Sequence, residues 1–204
     1  MTVVNVLAVM FVAAALRGEA RGGGIPLSSL AGSFAGQGAA SFGLCFNADL
    51  SSQVACSTLS SNATSIVTFV EHFTSQVTYD SNGNSCNELV GSYAPRFPGP
   101  EPAATFDIIQ VSVTTDYNSN TGSGDSSFTQ YKAGLGVTCN GAVLVNTGNA
   151  SEIGAGTSHF VVSKNGNRID AALKTFQNPT GAVAGDVAHG TADRQETSGE
   201  NHHH

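Results

Sequence analysis

Apolar and polar side chains alternate with a period of two through most of the chain, the signature of half-buried β-strands. The clearest run is 66–79, Ile-Val-Thr-Phe-Val-Glu-His-Phe-Thr-Ser-Gln-Val-Thr-Tyr, rich in β-branched and aromatic residues. It leads into Asp80-Ser81-Asn82-Gly83-Asn84, a tight hairpin signal, so a return strand is expected at 85–93. The same grammar recurs at Asn140-Gly141, between Val137 and Val145, and at Asn165-Gly166, between His159 and Leu173. Two further strands, 105–117 and 126–132, flank a longer Gly-rich loop at 118–124. Residues 96–102 hold three of the six prolines and so belong to a loop. Outside the N-terminal apolar run, no stretch of about ten residues repeats apolar positions at helical spacing.

The first strand, 30–44, and the last, 181–190, are both Gly/Ala-rich. Glycine inside a strand marks a bend or a close backbone approach, which a small barrel needs where its two end strands meet. The count is about eight to ten strands within one domain at 28–191, and an open sheet of that width would leave exposed edges that closure removes. The predicted fold is therefore all-β, an antiparallel meander forming a closed or nearly closed β-barrel. A β-sandwich is the alternative.

Residues 3–16 are mostly apolar but fall short of the roughly 20 residues that span a bilayer. Small residues follow at Gly18 and Ala20, so 1–20 is read as a signal peptide, although no Lys or Arg precedes the apolar run. A retained anchor or a buried N-terminal helix are the other readings. A flexible Gly/Pro linker is expected at 21–27 and a disordered polar tail at 192–204. The His202-His203-His204 end is set aside from functional reasoning.

Export changes how the cysteines are read. Cys45, Cys56, Cys86 and Cys139 form an even set without the C-x-x-C spacing of zinc or redox sites, so two disulfides are expected, Cys45 with Cys56 and Cys86 with Cys139. Reduced, buried thiols are the alternative. Charged residues make up only 11% of the chain, against roughly 25% in an average soluble domain, and Ser, Thr, Asn and Gly supply the polarity, as in secreted β-proteins. The net charge is -7 and the eight basic residues are scattered, which excludes nucleic acid as a partner. The predicted location is secreted or periplasmic, with no membrane span in the mature form. Asn62 and Asn149 open N-x-Ser/Thr glycosylation sequons.

Gly32-Ser33-Phe34 resembles the Gly-x-Trp opening of lipocalins, with Phe34 where that family has Trp. The resemblance implies a basic residue near the barrel's end covering the aromatic ring. The only late candidate is Arg194, which lies beyond the predicted last strand. The segments 124–129 and 159–170 also resemble those of small exported bacterial β-proteins of no established function. That second likeness implies no active site.

Two constellations carry candidate chemistry. The Asn165-Gly166 hairpin pairs Val161 with Asp170, which puts His159, Val161, Ser163, Arg168, Asp170 and Lys174 on one, mostly polar, face and Phe160, Val162, Ile169, Ala171 and Leu173 on the other. His159 and Asp170 become diagonal neighbours, able to form an oriented imidazole–carboxylate pair or an incidental contact on a solvated face. No G-x-S-x-G motif surrounds Ser163, so a serine hydrolase is not supported. In the strand 66–79, parity groups Glu71 with Phe69, Phe73, Val77 and Tyr79. If that set faces inward, Glu71 is a carboxyl in an apolar cavity with a raised pKa, suited to anchoring a ligand or donating a proton; at a rim it would be hydrated. Alternating Asp and Asn from Asp116 to Asp125 resemble a calcium loop, but the twelfth position is Ser127, so the segment reads as a hairpin loop. No P-loop, dinucleotide fingerprint or His/Cys metal spacing is present, so neither metal nor cofactor is expected.

The expected function is a secreted, non-catalytic binding or surface-interaction module. Its partner is a small apolar ligand in the barrel, with Phe69, Glu71, Phe73, Val77 and Tyr79 as ligand-binding candidates. One alternative is a small cofactor-free cyclase- or isomerase-like enzyme using Glu71, Tyr79 or the His159/Asp170 pair. Another is a barrel filled by its own side chains, with a structural or interaction role.

Overall fold

A computed structural model of the chain describes residues 24–58, 65–97 and 102–196. The expected signal peptide, residues 21–23 of the linker, the Asn62 sequon and residues 197–204 of the tail lie outside these residues. Ten strands form: β1 (Gly32–Phe46), β2 (Ser65–Tyr79), β3 (Ser85–Pro95), β4 (Ala104–Asn118), β5 (Ser123–Lys132), β6 (Val137–Asn140), β7 (Val143–Asn146), β8 (Glu152–Val162), β9 (Arg168–Gln177) and β10 (Val183–Arg194). Eight close an antiparallel barrel in the order β1-β10-β9-β8-β5-β4-β3-β2. The predicted meander is present, and closure leaves none of these eight as an edge.

Turn chemistry places the reversals. Gly83, at φ 77°, ends the β2–β3 turn, and Gly166, at φ 70°, the β8–β9 turn; both conformations suit glycine because it has no Cβ. The expected register of the β8–β9 hairpin holds, with Val161 opposite Asp170 and Val162 opposite Ile169. The Gly-rich loop at 118–124 is shorter than expected, because β4 runs to Asn118 and β5 starts at Ser123.

The Asn140-Gly141 hairpin does form, as β6 and β7, but as a separate two-stranded sheet outside the barrel. Its strands have four residues each against 10–15 in the barrel wall, too short to span it. The hairpin folds instead against β3 and β4, where Val137 and Leu144 pack on Cys86, Ile109 and Val111. Both disulfides form as predicted, Cys86–Cys139 across this contact and Cys45–Cys56 across the segment after β1.

The inner wall is built from glycine–phenylalanine pairs. A Cβ on Gly38 would lie 2.3 Å from the Phe73 ring, and one on Gly154 2.4 Å from the Phe176 ring. Gly91 with Phe106, Gly124 with Phe160 and Gly156 with Phe128 repeat the arrangement. Each ring lies over a neighbouring strand's bare backbone, so large apolar groups are buried along the wall rather than across the lumen. Overlap with the backbone also makes the β1–β10 seam close: a Cβ on Gly36 would meet the Thr191 carbonyl oxygen at 2.2 Å.

One end of the barrel is sealed. Leu30, Phe34, Val77, Phe160, Val162 and Ile169 form its core, with Ile25, Leu27 and Tyr117 packed against them. A single 3-10 turn, Leu27–Leu30, crosses this end before β1. Residues 24–27 are therefore not a free linker. The Ile25 N–H donates to the Ser119 carbonyl at 2.7 Å, and the Tyr117 hydroxyl donates to the Ile25 carbonyl at 2.9 Å. The burial of Ile25 and Leu27 offsets the chain entropy that the neighbouring Gly and Pro suggested would be kept.

The last strand also extends past its predicted end. Ala192, Asp193 and Arg194, expected in the polar tail, pair with Gly36, Ala35 and Phe34. The polarity of Thr191 and Asp193 belongs to the outer face of a strand. Arg194 points inward and stacks over Phe34, its guanidinium carbon 4.5 Å from the ring centroid. It donates to the Ala31 carbonyl at 2.8 Å, to the Gly166 carbonyl at 3.1 and 3.2 Å and to the Ser29 carbonyl.

Candidate functional site

Because the rings lie against the wall, the lumen retains a cavity of about 400 Å³. Glu71, Phe73, Val77 and Tyr79 of β2 line it, as the period-two parity of that strand requires. Phe69 belongs to the same inward set but is fully buried, stacked on Phe42 at 5.3 Å and edge-on to Tyr93 at 5.8 Å. Phe42, Phe69 and Tyr93 thus form one aromatic cluster, of which Phe42 and Tyr93 line the cavity. Further wall residues are apolar, among them Leu89, Ile108, Phe128, Leu173 and Phe176.

Polar side chains are interspersed with the apolar ones, and some of them pair within the wall. Gln130 Nε2 donates to Gln110 Oε1 at 2.9 Å, and the Ser126 and Ser158 hydroxyls share a hydrogen bond of 2.8 Å. Two wall atoms, Asn87 Oδ1 and Asp186 Oδ1, are buried with no hydrogen-bond partner among the described residues. Both are acceptors.

The main electrostatic feature is a carboxyl pair. Glu71 lies opposite Ala40, and Asp186 lies opposite Phe42, so the two acids flank β1 diagonally on its inner face, one beside a small alanine and the other beside a ring. Burial pushes Glu71 up to about 7, and the charge of nearby Asp186 adds to the effect. Burial likewise raises Asp186 to about 6, partly opposed by a hydrogen bond from the Val187 backbone. No Lys or Arg is among the residues lining the cavity. Tyr79 is pushed up to about 12 by burial, against a hydrogen bond with Ser85, and stays a neutral phenol. Glu71 and Tyr79 sit eight residues apart on one strand, about 26 Å at 3.3 Å per residue, so they cannot act together on one small substrate.

Asp186 was not among the sequence candidates. Its signal was present: it is the lone carboxylate inside the Gly/Ala run 181–190, and its inward parity follows once β10 is paired with β1.

The predicted His159–Asp170 pair does not form. His159 Nδ1 bonds Asp125 Oδ1 at 2.8 Å, and Lys174 Nζ donates to Asp125 Oδ2 at the same distance. Asp170 accepts instead from Arg168, at 3.0 and 3.1 Å. The physical reason is register: Asp125 stands directly opposite His159 on β5, whereas Asp170 is only diagonal to it. Hydrogen bonds from Lys174 and then His159 hold the Asp125 carboxyl below its usual range. This cluster faces outward and is half-exposed, separate from the cavity. Ser163 is spent on its own turn, donating to Asn165 Oδ1 at 2.7 Å and accepting from the Arg168 N–H at 3.0 Å.

Among the described residues, no group of three or more His, Cys, Asp and Glu could hold a metal ion, and no helix is long and apolar enough to cross a membrane. Asp116 and Asn118 belong to β4 and Asp125 to β5, so the calcium-like spacing is carried by two paired strands rather than by a loop. No protein-family model matches the chain, and no curated protein or solved structure shows significant similarity to it.

Proposed function

We propose that the protein is an exported binding module that takes a small, largely apolar ligand into the barrel lumen and does no chemistry on it. The observation that carries this reading is a cavity of about 400 Å³, its lining surface more apolar than polar and built in part from Phe, Leu, Ile and Val, inside a barrel sealed at one end. Cavities of this size are of ligand dimensions and use a few polar groups for orientation. Two disulfides support export, since such bonds persist in oxidising compartments. The stacking of Arg194 on Phe34 and its bonds to the 3-10 turn before β1 support the lipocalin-like reading, because a basic residue covering the opening aromatic is what that resemblance implies.

A second reading, a cofactor-free acid/base enzyme, draws on Glu71 and Asp186 alone, since Tyr79 lines the same cavity but lies eight residues along β2 from Glu71, and the His159 cluster faces outward. It has carboxyls near neutrality but no convergent nucleophile or oxyanion donor beside them, so binding is favoured.

Titration with the neutral naphthalene dye N-phenylnaphthylamine tests the proposal. Saturable binding at one site per chain, with a blue-shifted emission, is expected. Ala188→Phe, which places a ring in the lumen, should abolish it. Absence of saturable binding, or equal binding by the Ala188→Phe protein with native circular dichroism, would overturn the reading.

A further inference from the structure

The cavity's charge pattern is more specific than its apolar lining. We infer that the ligand is an apolar molecule carrying a protonated amine, whose ammonium sits between Glu71 and Asp186 while its hydrocarbon body lies along the phenylalanine-lined wall. This inference rests on the binding reading above and narrows it to one ligand class.

Glu71 on β2 and Asp186 on β10 reach the lumen from either side of β1, Glu71 level with the methyl group of Ala40 and Asp186 level with the Phe42 ring, so the two carboxyls are diagonal neighbours across that strand. Asp186 Oδ1 has no hydrogen-bond partner among the described residues, so an acceptor stands buried and available to a donor. An ammonium brings three donors and a full positive charge. The rings nearest the pair, Phe42 and Tyr93, lie 6.2 Å apart and present aromatic surface, which attracts an organic cation. A hard metal ion is a poorer match, because it asks for six or more oxygens and finds two carboxylates among rings.

No protein cation competes for this place. β1 carries no ionisable group, and β9 turns Arg168, Asp170 and Lys174 outward. On β3, Glu88 faces out and Tyr93 faces in. On β2 and β10, His72 and His189 share the outward register, although His189 also borders the cavity, and Asp193 faces out. Arg194 is inward but eight residues beyond Asp186, committed to Phe34 and three backbone carbonyls. Two buried acids without a counter-ion stay partly protonated, and a ligand cation is what allows both to ionise.

The sign of the pH dependence follows. An alkylamine stays protonated below about pH 10, so the titrating partners are the carboxyls. With Glu71 near 7 and Asp186 near 6, amine affinity rises as pH is raised through that window and falls as it is lowered.

The test is displacement of bound N-phenylnaphthylamine by dodecylamine, dodecanol and dodecanoate, which share one hydrocarbon body. At about pH 8 the amine should bind at least tenfold more tightly than the alcohol, equivalent to about 1.4 kcal/mol, and the carboxylate should be weakest. At about pH 5 the amine's advantage should shrink to roughly twofold or less. The amine-to-alcohol ratio, read within each protein, should also collapse in Glu71→Gln/Asp186→Asn; the wild-type pH series gives the same information if that variant does not fold. Equal displacement by all three, or preference for the carboxylate, overturns the inference while leaving the binding reading intact. Failure of the dye itself to bind overturns both.

Discussion

Replacing Arg194 by methionine keeps most of the side-chain length and removes the guanidinium, and with it the one group that ties together the 3-10 turn, the β8–β9 turn and the end of β10. Three backbone carbonyls, of Ser29, Ala31 and Gly166, lose their charged donor, and the Phe34 ring loses its cover. Hydrogen bonds to a charged donor contribute about 1.5 kcal/mol each and a cation–π contact about 1 kcal/mol. The site is only partly buried, so water reclaims some of the carbonyls and the guanidinium's own desolvation cost disappears. The net expectation is a loss of about 3 kcal/mol. For a domain of this size each kcal/mol is worth roughly 2–4 °C, so Tm should fall by roughly 6–12 °C. Scanning calorimetry or tyrosine near-UV circular dichroism is the suitable assay, since the chain has no tryptophan. Arg194→Lys should fall between the two, because an ammonium keeps the charge but cannot fork across three carbonyls. Arg168→Met, which removes a half-exposed arginine from its Asp170 partner, should leave Tm unchanged. A fall of under about 2 °C in Arg194→Met, or an equal fall in Arg168→Met, would refute the assignment of Arg194 as the tie.

The disulfides should separate by loop size. Cys86→Ser/Cys139→Ser, which opens a span of 53 residues, should cost about 4 kcal/mol, and Cys45→Ser/Cys56→Ser, a span of 11, about 3 kcal/mol, measured by urea midpoint. Gly36→Ala should destabilise by roughly 2 kcal/mol, because the new methyl would meet the Thr191 carbonyl at 2.2 Å, whereas Gly185→Ala, with open space around it, should be near neutral. The ligand-free protein should lose stability as pH rises. Glu71 titrates near 4.5 when unfolded and near 7 when folded, so the native state binds the extra proton, and stability present below pH 4.5 declines through pH 7, by up to about 3 kcal/mol. Glu71→Gln should flatten that slope in thermal melts taken across the range.

The strand 66–79 shows what could be read from sequence alone. Period-two parity depends only on covalent geometry, so the sequence alone groups Phe69, Glu71, Phe73, Val77 and Tyr79 on one face, and the structure turns that face inward. The Asn-Gly turns fixed the β8–β9 register in the same local way. What escaped was set by partners distant in sequence. Asp186 becomes a cavity residue only through β10's pairing with β1, and His159 finds Asp125 only because β5 lies beside β8. The β6–β7 hairpin carried a correct turn signal, but nothing local says that it lies outside the wall rather than in it. Arg194 looked like tail because alternation with Asp193 and Thr191 is indistinguishable from a polar terminus until Phe34 is placed beneath it.

The order of the barrel strands bears on how the chain reaches its native state. Every strand pairs with the one before it, β8 joining β5 across the small outer hairpin, except at the seam where β10 meets β1. Successive hairpins can therefore form as the chain emerges, at little loop-closure cost, while the seam joins opposite ends of the sequence and must wait for the twelve residues of β10. Until then β1 offers an open edge, a template for pairing with other chains. Its composition blunts the hazard: the outward side chains of β1 are chiefly Ser, Ala, Gln and Gly, and β10 is also rich in Gly and Ala. Strands so poor in β-branched residues and so rich in glycine pair weakly with strangers. They hold together here because Gly36 lets the backbones approach and Arg194 locks the end once the two have met.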